Sequence, residues 1–205
     1  MISADEGLAR LKEGNRRFVS GEMGLAALIS RAHRASLVDG QEPFAIILGC
    51  SDSRVPAELV FDQGFGDLFV IRVAGNIVAP SQVGSVEFAA ARFGTKLVLV
   101  MGHEGCGAIA AALEDLTGEA PSTSRNLRSI VDRVRPSVET VLRAMPNADR
   151  AALTHEAVRA NVRTSTDHLR HGSEILERAI LHDGLKVVGA EYSLQTGVVD
   201  FFDGV

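Results

Sequence analysis

Continuous apolar runs alternate with helical stripes along this chain. Leu8, Leu11 and Phe18 fall on one side of a first helix, and Ser3 and Glu6 precede them at capping-box spacing. Leu25, Leu28 and Ile29 are spaced for a short helix that ends by Gly40. After Pro43 comes the run Phe44-Ala-Ile-Ile-Leu-Gly49, which predicts a strand buried on both faces, as in a parallel sheet. Similar runs follow at Leu68–Ile71, Leu97–Met101 and Val187–Ala190. Between them, Val83, Val86, Ala90 and Phe93 mark one helical face, and Ile109 and Leu113 mark another. Leu127, Ile130, Val131 and Val134 form a third stripe, which Pro136 is expected to stop. A loop is read at Ala120–Ser124, and a helical stretch from about Thr154 to His182 with a break near Gly172. The turn-like Gln195-Thr-Gly197 then leads into Val198-Val-Asp-Phe-Phe202, a hairpin-linked edge strand.

Strands alternating with helices predict an α/β fold: a mostly parallel central β-sheet flanked by helices, with right-handed crossovers and a C-terminal edge strand. Neither a repeat nor a low-complexity linker divides the chain, so residues 1–205 read as one domain. Of the 205 residues, 46% are hydrophobic and 23% charged, enough apolar material for a sizeable core. The longest apolar runs are strand-sized, short of the ~20 residues of a membrane span. Charges stand where a signal peptide has its apolar run, so a soluble cytoplasmic protein is expected, with no membrane partner. Acidic residues outnumber basic ones, 26 to 21, and there is no Trp and one Tyr, which argues against nucleic acid as a partner. Two cysteines are too few for a disulfide scaffold.

Those two cysteines carry the chemistry. Cys50 lies in Gly49-Cys-Ser-Asp-Ser-Arg-Val55, at the end of the first predicted strand. His103 and Cys106 lie in Gly102-His-Glu-Gly-Cys-Gly107, at the end of another. Open α/β sheets bind ligands at the C-terminal ends of their strands. Two thiolates and an imidazole suit zinc, and three protein ligands leave a fourth position open, as in catalytic sites. Inert core thiols and a redox pair are the competing readings. Asp52 is placed either to enter the open position or to accept a hydrogen bond from water held there, with Arg54 favouring its ionised form. The same two residues also suit an ordinary surface ion pair or a helix N-cap.

The motifs Cys-Ser-Asp-Ser-Arg-Val at 50–55 and His-x-x-Cys-Gly-Ala at 103–108 resemble the two defining motifs of β-class carbonic anhydrases. The similarity extends through Asn15-Arg-Arg-Phe18, Gly66-Asp-Leu-Phe-Val-Ile-Arg72, Gly75-Asn76, Gly84-Ser-Val-Glu-Phe88 and Gly189-Ala-Glu-Tyr192. The resemblance implies one zinc ion per subunit, bound by Cys50, His103 and Cys106, with Asp52 and Arg54 as a dyad. The reaction implied is the reversible hydration of carbon dioxide to bicarbonate and a proton, through a zinc-bound hydroxide that Asp52 orients. In the best-known zinc hydratase the metal lowers the pKa of water from 15.7 to about 7. In some members the aspartate instead ligates zinc in a closed state, so Asp52 is also a candidate ligand. A homodimer or a dimer-based tetramer is implied, with the N-terminal helix packing on a partner subunit.

Within the family, Arg72 and Tyr192 match the bicarbonate-inhibited type, but that type's Trp, three residues before the first zinc cysteine, is Ile47 here. A Gln nine residues before that cysteine marks the plant-like type, and Gln41 fits. Gln41 and the backbone N–H of Gly107 are therefore candidate donors to substrate oxygen, and Phe69 a candidate wall of the substrate pocket. Phe88 stands where the plant-like type has a Tyr, Val73 replaces a frequent Asn, and Glu104 a frequent Ser. Hydrolysis of carbon disulfide or carbonyl sulfide by the same zinc motifs is the nearest rival activity. A non-catalytic zinc or redox sensor is the rival from another class.

Overall fold

The computed structural model describes residues 2–24, 30–119 and 124–205. The helix expected at Leu25–Ile29 and most of the loop at Ala120–Ser124 lie outside the described residues. The chain begins with α1 (Ala4–Ser20), closed by the expected capping box: the Ser3 hydroxyl accepts from the Glu6 N–H, and the Glu6 carboxylate accepts from the Ser3 N–H. A short α2 (Arg31–Ser36) precedes β1 (Ala45–Gly49), α3 (Ala57–Val60) and β2 (Leu68–Arg72). One 3-10 turn, Ala74–Asn76, leads to α4 (Pro80–Phe93) and β3 (Leu97–His103). The remaining elements are α5 (Gly107–Thr117), α6 (Arg125–Ala144), α7 (Arg150–His171), α8 (Glu174–His182), β4 (Lys186–Tyr192) and β5 (Val199–Asp203).

The sheet order is β2-β1-β3-β4-β5, with the first four strands parallel and β5 antiparallel to β4. This is the α/β architecture expected, with the C-terminal hairpin at one edge. One apolar cluster packs α1 and α3 against one face of the sheet through Leu8, Leu11, Phe61, Ile47 and Leu99. Ile46, Leu48, Val98 and Val100 point to the opposite face, against Val86, Val162, Leu169 and Leu176. Asn15 secures α1 to the hairpin: its amide donates to the Val60 and Gly197 carbonyls, and its Oδ1 accepts from the Val199 N–H.

Two expectations need correction. Burial on both faces holds throughout β1 and β3, but in β2 only Leu68 is buried. β2 is an edge strand with a single neighbour, so its apolar run belongs to a partly open surface. Pro136 does not stop its helix: α6 runs through it to Ala144. Pro136 and Asp132, whose carbonyl loses its partner, both lie on the exposed face, while Val138 and Val141 continue the buried stripe beyond them. The break near Gly172 is real, and Ser173 restarts the chain by capping the Leu176 N–H. Helix α7 lies close on the sheet because Gly102 and Gly189 present no side chain to Val158 and Val162. Among the described residues, no helix is long and apolar enough to cross a membrane.

Candidate metal centre

β1 and β3 are neighbours in the sheet, Gly49 pairing with Met101, so their C-terminal ends deliver Cys50 and His103 side by side. The turn after β3 returns the chain at Cys106, the residue before α5. The Cys50, His103 and Cys106 donor atoms all lie within 4.8 Å of one another, and all three residues are buried. The His103 Nδ1–H donates to the Glu104 carbonyl at 2.8 Å, which turns the Nε2 lone pair toward the two sulfurs. That Nε2 is buried and has no hydrogen-bond partner in the protein. A buried polar atom without a partner is costly, and a metal ion held with the two thiolates satisfies it. The donor set therefore fits a soft divalent metal.

The electrostatics agree. The Cys106 thiol and His103 beside the Cys50 sulfur, with the backbone N–H groups of Asp52 and Gly75, outweigh burial and pull its pKa well below the ordinary thiol value. The neighbouring Cys50 sulfur, with burial, pushes the Cys106 thiol up, so Cys50 ionises first. Burial opposes a charge on His103, yet the neighbouring Cys50 sulfur leaves its pKa raised overall. Both cysteines are free.

Asp52 stands over this cluster, its Oδ2 at 4.0 Å from the His103 Nε2. Arg54 grips the carboxylate with one edge of its guanidinium, Nε to Oδ1 at 2.9 Å and Nη2 to Oδ2 at 2.7 Å, while its backbone N–H also donates to Oδ1. Those bonds hold the Asp52 carboxyl well below the usual carboxylate range. The motif turn is anchored by Arg72 at the end of β2, which donates to the Cys50 carbonyl at 2.9 Å and to the Asp52 carbonyl at 2.6 Å. The sequence marked Arg72 only as a subtype match. Its clamp follows from the pairing of Gly49 with Arg72, which places the guanidinium beside the motif turn.

The other candidate residues are placed unequally. Gly107 heads α5 directly after Cys106, and the first N–H groups of a helix have no intrahelical partner. Phe69 pairs with Ile46, four residues before Cys50, which is roughly 13 Å along the strand. Its ring packs on Phe88 and Phe93, at 6.2 and 6.0 Å between centroids. Gln41 lines a cavity with Arg34, Leu37 and Phe65 in which none of the metal donors takes part.

A family model described as "Carbonic anhydrase" matches residues 45–199, a stretch that holds all three donors and the Asp52–Arg54 pair. The chain belongs to the carbonic anhydrase family. It is 39% identical to carbonic anhydrase 2 of Mycobacterium tuberculosis over 188 residues, covering 91% of this chain and 87% of that protein. It is 38% identical to the carbonic anhydrase of Mycolicibacterium smegmatis over 192 residues, 93% of this chain and 89% of that one. Among solved structures, a β-carbonic anhydrase of Aspergillus fumigatus superposes with a TM-score of 0.77 at 25% identity, covering 98% of this chain and 91% of the other. The enzyme is a carbonate dehydratase of the β class, and hydration of carbon dioxide is the reaction general to its family.

Proposed function

We propose that Cys50, His103 and Cys106 hold one zinc ion per subunit and that Asp52 and Arg54 act with it in the reversible hydration of carbon dioxide. The observation that carries this reading is the buried, unpartnered His103 Nε2 beside two cysteine sulfurs. A zinc ion there supplies a Lewis acid that makes water a competent nucleophile near neutral pH. Asp52, kept ionised by Arg54, accepts a hydrogen bond from the attacking water and turns a lone pair of that water toward the carbon. The N–H of Gly107 donates to a substrate oxygen as negative charge grows on it. Gln41 as a further donor and Phe69 as a pocket wall rest on the family resemblance. So does Asp52 as a metal ligand in a closed state, while a single domain over residues 1–205 rests on the lack of a repeat or linker in the sequence.

The half-exposed β2 edge, with Phe88 54% exposed beside it, supports a homodimer or dimer-based tetramer built on this side of the sheet. We assign the enzyme to the cytoplasm, a reducing compartment that keeps Cys50 and Cys106 available as thiolates.

Stopped-flow hydration by Asp52→Asn, on protein of measured zinc content, tests the reading. Zinc is expected to stay while turnover falls on the order of 10²-fold or more. Loss of zinc from this variant would make Asp52 a ligand instead. A fully zinc-loaded wild type that turns over carbon disulfide or carbonyl sulfide but not carbon dioxide, from pH 7 to 9, sinks the proposal.

A further inference from the structure

The Cys50 sulfur has one partner that comes from neither metal-binding motif. Gly75, in the 3-10 turn after β2, donates its buried N–H to the Cys50 Sγ at 3.4 Å. Its φ of 70° suits glycine, and a Cβ there would stand 2.9 Å from the Ala108 Cβ. Asn76 follows at φ 42°, a second left-handed residue in succession. Such a turn persists only when its surroundings hold it.

The hold comes from α7. Asn161 Nδ2 donates to the Gly75 carbonyl at 2.8 Å, and Ser165 Oγ donates to the Asn76 carbonyl at 3.1 Å. These partners are 86 and 89 residues away from the turn in sequence. Both side chains are buried, 2% and 4% exposed, on a helix face that otherwise presents Val158, Val162 and Leu169. Polar groups in an apolar face are costly to bury, and each of these gives a donor to one carbonyl of the same turn.

We propose that Asn161 is a positioning residue of the metal centre: by holding Gly75, it sets the N–H···S hydrogen bond that aims the Cys50 sulfur and draws charge from it. The inference rests on the metal site proposed above. Partners behind a metal ligand of this kind alter metal affinity by about 10–100-fold. Ser165 holds the following peptide and steadies the turn without touching Gly75.

The test uses the full chain, cobalt- or zinc-loaded, as wild type, Asn161→Leu and Ser165→Ala. Leucine keeps the volume of asparagine and removes the donor. In Asn161→Leu the sulfur-to-cobalt charge-transfer band is expected to move to longer wavelength. Zinc affinity by chelator competition is expected to fall about tenfold or more, with the circular dichroism unchanged. Ser165→Ala is expected to shift the band less. An unmoved band with wild-type zinc affinity in Asn161→Leu overturns the proposal, as does an equal effect of Ser165→Ala. If Asn161→Leu does not fold, cadmium-113-loaded wild type decides. The Gly75 amide proton is expected to show scalar coupling to the metal through the sulfur, and its absence is fatal to the idea. A wild type that binds none of these metals refutes the metal site itself. Metal binding by the wild type with unresponsive variants refutes only the role of Asn161.

Discussion

Gly102→Ala places a methyl group where β3 and α7 approach most closely. Its Cβ would lie 2.7 Å from the Val162 Cγ2 and 2.9 Å from the Val158 Cγ1, too near for either to stay in place. Valine is stiff at χ1 in a helix, and Val162 is already tight against Gly189 on the next strand, where a Cβ would come within 2.8 Å of it. Relief therefore has to come from lifting α7 or tilting the end of β3, and overpacking of this kind costs about 1–3 kcal/mol. For a chain of 205 residues, a loss of about 2 kcal/mol lowers the melting temperature by roughly 4–8 °C. Zinc affinity is expected to fall with it, since His103 is the next residue. Gly49→Ala is the matched control: it precedes Cys50 in the same way, but nothing lies within 4 Å of its Cβ. It is expected to melt at or slightly above wild type, because alanine is favoured over glycine in a strand by about 0.5–1 kcal/mol. Thermal and urea unfolding at one fixed zinc concentration make the comparison. If Gly102→Ala melts with the wild type, or Gly49→Ala falls as far, the packing argument is wrong.

Pro136→Ala restores an N–H inside α6 and is expected to raise the urea midpoint, by an amount below the ~3 kcal/mol that proline costs in an unsupported helix interior. A lowered midpoint would show that the helix relies on the proline at that point. Glu191 sits on β4 at 5% exposure, where burial raises its pKa despite His155 and Arg159 nearby. A raised folded pKa means the native state binds the proton more tightly than the unfolded chain, so stability falls as pH rises from the ordinary Glu value of about 4.3 through the folded value. Glu191→Gln is expected to remove that slope from the unfolding midpoint measured against pH, and an unchanged slope would assign it elsewhere.

Local signals read correctly wherever a local cause decides the structure. The Ser3–Glu6 capping box, the break near Gly172 and the strand end at Gly49 each depend on residues within a few positions. Pro136 misled because packing against neighbouring helices outweighs one missing hydrogen bond when the freed carbonyl belongs to the exposed face. Leu68–Ile71 misled because an apolar run records that a strand is covered somewhere without recording its place in the sheet. Nothing along the sequence says that β2 is at the edge.

The sequence by itself determined the candidate donors Cys50, His103 and Cys106 and the neighbouring Asp52 and Arg54. These lie in two short motifs at strand ends, and chain connectivity alone keeps each motif together. Tertiary structure decided what holds those donors in place. Arg72 reaches the Cys50 and Asp52 carbonyls only because β2 pairs with β1, and Asn161 reaches Gly75 only because α7 packs on the sheet. An arginine and an asparagine far along the chain carry no mark of such roles. Their hydrogen bonds exist only once burial of the apolar faces has brought distant elements within about 3 Å.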